Sequence, residues 1–184
     1  MTQEISRKNL RTKALSWEVV NTLSKFIILA TIASAAPIIG GHQQFITGPI
    51  VNAMLFLAVI TVGVRQALLI CFIPSVFALS VGLVPAVLAP VVPFIMISNA
   101  ILVLVFEKIW KKNFIIGVGL ASLLKFSFLF ASSQVVVNLF VKEELAKKAV
   151  VMFSWPQLVT AFMGGAIALV AWKVYQVSFE RKGK

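Results

Sequence analysis

Lys125 sits where a lysine is costly. It lies about a dozen residues from either end of an apolar run over 114–140, and at about 1.5 Å per helical residue that is near the middle of a bilayer. A lysine there costs at least about 2.5 kcal/mol unless it is paired or hydrated. Ser122, Ser132 and Ser133 share its helical face through three-, seven- and eight-residue spacing. Two kinds of chemistry fit this pattern. The ammonium can be a structural charge, hydrogen-bonded to carbonyls and hydroxyls of neighbouring helices, or it can anchor an anionic group on a bound molecule. Glu107 is a poor partner for it, because that carboxylate belongs to the cytoplasmic end of the preceding span.

Uncharged amides form a second set. Asn52, Asn99, Gln134, Asn138 and Gln157 each fall in the outer half of an apolar run or at its outer end. Amides hold membrane helices together at about 1 kcal/mol each. Their concentration on one side also fits a polar cavity open to the exterior. Phe45, Phe94, Phe128, Phe153 and Trp155 lie nearby, although such aromatics more often pack or mark the membrane boundary. The stretch 40–53 carries the single histidine, His42, beside Gln43 and Gln44. Glycines at 40, 41 and 48 are expected to release the backbone from helical geometry, with Pro49 opening the next helix. Asn52, inside the following apolar run, needs a partner, so this loop is expected to fold inward. The candidate ligand-binding residues are therefore Lys125, Asn99, Asn52, Gln157, Gln43, Gln44, His42, Ser133 and Trp155.

Catalysis is hard to build from this inventory. One histidine, one cysteine and no aspartate supply neither a usual metal site nor a Ser-His-Asp triad. No G-x-x-x-x-G-K-[ST] loop is present, so P-loop ATP hydrolysis is excluded for the chain itself. No catalytic residue, metal or cofactor is expected.

The elements that must position these residues are membrane helices. Of 184 residues, 60% are hydrophobic and 12% charged, and mean hydropathy is +0.99; soluble domains carry roughly twice that charge. The net charge of +11 comes from basic residues beside apolar runs, as in membrane-flanking loops rather than a nucleic-acid surface. Apolar runs of about 20 residues predict an all-α bundle of six spans, over 17–39, 49–64, 66–83, 91–110, 114–140 and 156–177. Pro74 lies inside the third, and a proline-broken apolar connection over 84–90 precedes the fourth. The charged hairpin over 142–148 is expected to be a short interfacial helix. Ser154 and Gln157 have capping-box spacing at the start of the sixth span. No linker divides residues 1–184, which read as one domain with a basic segment over 1–16 and a basic tail over 178–184. Trp17 and Glu18 after the basic start argue against a cleavable signal peptide. Twelve basic residues fall on the side of the termini, including Arg7, Arg11, Arg65 and Lys111, against Lys142, Lys147 and Lys148 on the other. The positive-inside rule then places both termini in the cytoplasm and the His42 loop outside.

Small residues mark close helix contacts. Span one carries Ala30, Thr31, Ala33, Ser34, Ala35 and Ala36, and span six carries Gly164, Gly165, Ala166 and Ala168. On span one, small residues on so many sides point to an intermolecular face through Ala30, Thr31, Ser34 and Ala35.

With these features the chain resembles the substrate-binding (S) component of an energy-coupling factor (ECF) transporter. The run Thr47-Gly48-Pro49-Ile50-Val51-Asn52-Ala53-Met54-Leu55 is similar to the start of span two in that family, and Gln157-Leu158-Val159-Thr160-Ala161-Phe162-Met163-Gly164-Gly165 to its last span. The resemblance covers nearly the whole chain. It implies a small vitamin-like or metabolite ligand near the outer face, capped by a long first outer loop. It also implies a membrane-embedded coupling subunit docked on span one, two cytoplasmic ATPases, and residence in a prokaryotic cell membrane. Where the family often shows Ala-x-x-x-Ala, this chain has Ala30/Ser34 and Thr31/Ala35. Met1-Thr2-Gln3 lacks the N-terminal histidine of nickel and cobalt members. The alternative reading is a structural or assembly membrane protein whose intramembrane polar residues only hold helices together.

Overall fold

The computed structural model describes residues 2–40, 43–82, 86–140 and 153–182. Among the described residues there are six α-helices: α1 (Thr2–Gly40), α2 (Gln44–Thr61), α3 (Val64–Ser80), α4 (Val92–Ile109), α5 (Phe114–Phe140) and α6 (Trp155–Lys182). A single 3-10 helix, Ala86–Val91, leads into α4, and no strand occurs among the described residues. The hairpin over 142–148 and residues 84 and 85 of the proline-broken connection lie outside the described residues.

Five of these helices, α4 together with the end of the 3-10 helix, give stretches long and apolar enough to cross a membrane: Ser16–Gly40, Gln44–Thr61, Ala89–Ile109, Phe114–Val135 and Trp155–Ser178. The sixth, α3, is apolar but shorter at 17 residues, about 25 Å of helix. Large apolar side chains face outward along the bundle, including Ile28, Leu69, Ile116, Val135 and Val170. The buried polar side chains are instead Asn52, Ser98, Asn99, Ser122, Lys125, Ser133 and Thr160. An apolar exterior around a partly polar interior is the distribution of a multi-pass membrane protein, in which only the inside of the bundle can satisfy a polar group.

Helix α2 is central, packing on α1, α3, α4 and α6, and most extensively on α6. Its core residues Leu55, Phe56 and Ala58 are fully buried. Phe56 meets Phe106 of α4 edge-on at 4.7 Å, and Phe106 in turn meets Phe114 of α5 at 5.4 Å. This aromatic knot fixes α2, α4 and α5 at the end of the bundle away from Gln44. The same end carries the tight α2–α3 link. There Gly63 has φ 92°, a region that residues with a Cβ rarely adopt.

The link between α1 and α2 corrects a sequence expectation. A glycine-rich loop was expected up to Gly48, with Pro49 starting the helix. Instead α1 ends at Gly40, α2 begins at Gln44, and Pro49 lies in the second turn of α2. The long first outer loop implied by the family resemblance is therefore a very short connection, of which Gly41 and His42 lie outside the described residues. Gly48 is helical for a packing reason: a Cβ there would stand 2.8 Å from the Cβ of Thr160 on α6. The glycine allows two helices to touch rather than a chain to turn. Pro49 forgoes one backbone bond, and its carbonyl oxygen lies against α6, 2.9 Å from where a Cβ on Gly164 would be.

Candidate functional site

Because α2 begins at Gln44, Asn52 sits at the middle of that helix rather than near its first turn, eight residues from Gln44 and nine from Thr61. Asn99 is at a similar depth in α4, seven residues from Val92 and ten from Ile109. Lys125 occupies the corresponding level of α5, and the three side chains meet. The Lys125 ammonium donates to Asn52 Oδ1 at 2.5 Å and to Asn99 Oδ1 at 2.7 Å. All three are sealed from solvent, with exposures of 3% for Lys125, 1% for Asn52 and 4% for Asn99. Hydrogen bonds from a charged donor are roughly twice as strong as neutral ones, so one lysine ties α2, α4 and α5 together.

Backbone contacts set this geometry. A Cβ on Gly164 of α6 would lie 2.6 Å from Asn52 Cβ and 2.9 Å from Ala53 N. Only glycine lets α6 press α2 this closely. The neighbouring Gly165 admits Val118 of α5 in the same way, so the Gly164-Gly165 pair seats α6 on two of the three helices that supply the lysine–amide contacts. Cys71 of α3 is buried too, with its thiol directed to Ala67 O at 3.4 Å. It is a packing residue, as the sequence led one to expect.

The serines expected on the lysine face divide. Ser132 donates to Phe128 O at 2.8 Å, and Ser133 to Phe130 O at 2.9 Å. Both hydroxyls are therefore occupied by their own helix, about two turns from Lys125. Ser122, one turn before Lys125, is fully buried, and its hydroxyl has no hydrogen-bond partner. Helical side chains lean toward the N-terminus, so the Lys125 stem extends over the turn that holds Ser122. Glu107 stays at its own end, accepting from Trp110 Nε1 at 3.1 Å and standing 3.9 Å from Lys111.

No family model, characterised protein or solved structure matches the chain. The site is therefore read from its own chemistry. The remaining expected ligand residues form a separate tier. Gln43 is exposed just before α2, and Gln44 is half-buried in its first turn. Trp155, also exposed, opens α6 and stacks obliquely on Phe45 at 5.8 Å. Gln157 is half-buried in the first turn of α6, and its N–H donates to Ser154 O at 3.0 Å. From Gln44 to Asn52 is about 12 Å of helix, so this rim stands above the lysine cluster without joining it. His42 and the side chain of Asn138 lie outside the described residues.

On the opposite flank, Ala30, Thr31, Ser34, Ala35 and Ile38 of α1 line an open groove with Ile73 and Phe77 of α3. Ala33 and Ala36 turn inward and are buried. Ala30 is divided between these roles, since it borders the groove yet is only 8% exposed and belongs to the internal core. Sequence reasoning marks Gly164 and Gly165 as helix contacts, and the structure bears this out, but it misses the roles of Gly48 and Thr160 in bringing α2 and α6 together. The small residues of span six are visible in the sequence, but not which helix each meets.

Proposed function

We propose that this chain is the substrate-capture subunit of an ECF-type ABC importer in a prokaryotic cell membrane. It binds a small vitamin-like or metabolite ligand from the outer side and has no catalytic activity of its own. The observation that carries the reading is Lys125, a buried cation bonded to two neutral amides from two other helices. Charged groups inside membrane bundles usually mark a ligand or ion pathway. In this reading α3 is the third of six spans, and both termini are cytoplasmic. The rim of Gln43, Gln44, Phe45 and Trp155 surrounds the outer entrance, and the groove between α1 and α3 receives a membrane-embedded coupling subunit that works with two ATPases.

Affinity purification from native membranes tests this assignment. The wild-type chain should bring down a coupling subunit and ATPases, and Thr31→Leu or Ala35→Leu should abolish that association while leaving thermal stability within about 0.5 kcal/mol. Ala30 is a poorer test position, because a leucine there would also disturb the internal core. Failure to recover any such partner would overturn the importer reading.

The topology has its own test. Gln43 is exposed, so cysteine placed there in a Cys71→Ala background should react with an impermeant maleimide in intact cells. Labelling only after permeabilisation would reverse the orientation. The alternative function, a structural membrane protein, draws on the same cluster, since Lys125 bonds helices together whether or not it meets a ligand. Partner recovery separates the two.

A further inference from the structure

Around Lys125 the donors outnumber the acceptors. An ammonium carries three N–H bonds, and two of them go to Asn52 Oδ1 and Asn99 Oδ1. Those two bonds use the amides' oxygens and leave their NH2 groups as further donors. The buried Ser122 hydroxyl, one turn away on the same helix strip, has no partner. Among the described residues no carboxylate reaches the cluster: Glu107 is held by Trp110 and Lys111, and Glu18 lines a different groove near the start of the apolar part of α1. Among the described residues the lysine charge is thus met by neutral dipoles alone. Burying such a charge uncompensated is costly, and an anionic acceptor binds an ammonium more strongly than an amide oxygen does.

We infer that the cluster recognises a monoanionic carboxylate group on its ligand, held by the third N–H of Lys125 and the Ser122 hydroxyl. This rests on the importer reading for its biological meaning, and it names the substrate class of that site. A carboxylate fits the inventory: its charge balances the lysine, and its two oxygens accept from two donors. A dianionic phosphate would leave one negative charge unbalanced within the bundle. The amides hold the ammonium between α2 and α4, and Ser122 stands one helical turn from it on α5.

Acetate and acetamide, nearly identical in shape and different in charge, are the probes. The dialysed protein in nonionic detergent is melted at constant ionic strength, with sodium sulfate as the balancing salt. At ten times its half-maximal concentration, acetate should raise the Tm by about 3–6 °C, and acetamide should leave it unchanged. Ser122→Ala removes a hydroxyl that bonds nothing in the fold, so it should melt like the wild type while raising the half-maximal acetate concentration about tenfold. The triple variant Lys125→Met/Asn52→Leu/Asn99→Leu should lose the acetate shift altogether. Equal shifts from acetate and acetamide, an acetate shift that survives in the triple variant, or an equal shift from sodium chloride would each overturn the carboxylate assignment. Acetate binding without partner recovery would keep this site and defeat the importer reading. Recovery of the partners with a neutral co-purified ligand would do the reverse.

Discussion

Lys125→Met alone should destabilise the bundle by about 2–4 kcal/mol, and adding Asn52→Leu and Asn99→Leu should recover most of that loss. Methionine keeps the length and apolar bulk of the lysine stem, so packing changes little. The cost comes from Asn52 Oδ1 and Asn99 Oδ1, which lose their donor while buried; a buried polar group left unpaired costs about 1–3 kcal/mol. Relief of the buried charge offsets part of this. Leucine has nearly the branched shape of asparagine, so the triple variant replaces the whole cluster by packed hydrocarbon, a change that is often neutral or stabilising. Thermal unfolding in detergent of the wild type, the single variant and the triple variant measures the cycle. A single variant as stable as the wild type would show that the lysine contributes nothing to holding α2, α4 and α5 together.

The second large effect is expected at Gly164. Gly164→Ala would place a Cβ 2.6 Å from Asn52 Cβ and 2.9 Å from two backbone atoms of α2. Backbone cannot rotate aside as a flexible side chain can, so the helices must separate, at about 1–3 kcal/mol. Gly119→Ala is the matched control. A Cβ at Gly119 meets nothing within 4 Å, so alanine there should stabilise α5 by about 0.5–1 kcal/mol. Separation of α2 from α6 should also pull Asn52 off Lys125. Asn52→Leu should therefore cost less in the Gly164→Ala background than alone, a coupling that a double-mutant cycle reads directly. Additive effects would mean that Gly164 does not position the amide.

These two variants probe different layers of one device. The lysine–amide bonds supply polar attraction between helices that have no hydrophobic reason to associate in lipid. The glycine contacts supply the close approach that gives those bonds their length. Neither layer is effective without the other, because a hydrogen bond weakens steeply once donor and acceptor move beyond their usual separation.

Much of this was legible in the sequence. Apolar runs located α4, α5 and α6 to within a few residues of their observed bounds, because helix in lipid follows from the length and composition of a segment alone. Lys125 and Asn52 stood out as groups needing partners, since the cost of an unpaired polar group in hydrocarbon is independent of the fold. The start of α2 was misplaced because glycine and proline signal a loop in an isolated chain, whereas Gly48 serves a helix contact and Pro49 is tolerated within a helical turn. Pairing was beyond the sequence altogether. Nothing in the spacing of Asn52, Asn99 and Lys125 along the chain says that they meet, since their helices are joined through links whose geometry sets depth and rotation. The sequence by itself determined that this protein is a helical membrane bundle and which residues could not stand alone in it. Only the tertiary structure decided which of them satisfy one another, because partner choice depends on how α6 presses on α2 and turns Asn52 toward the lysine.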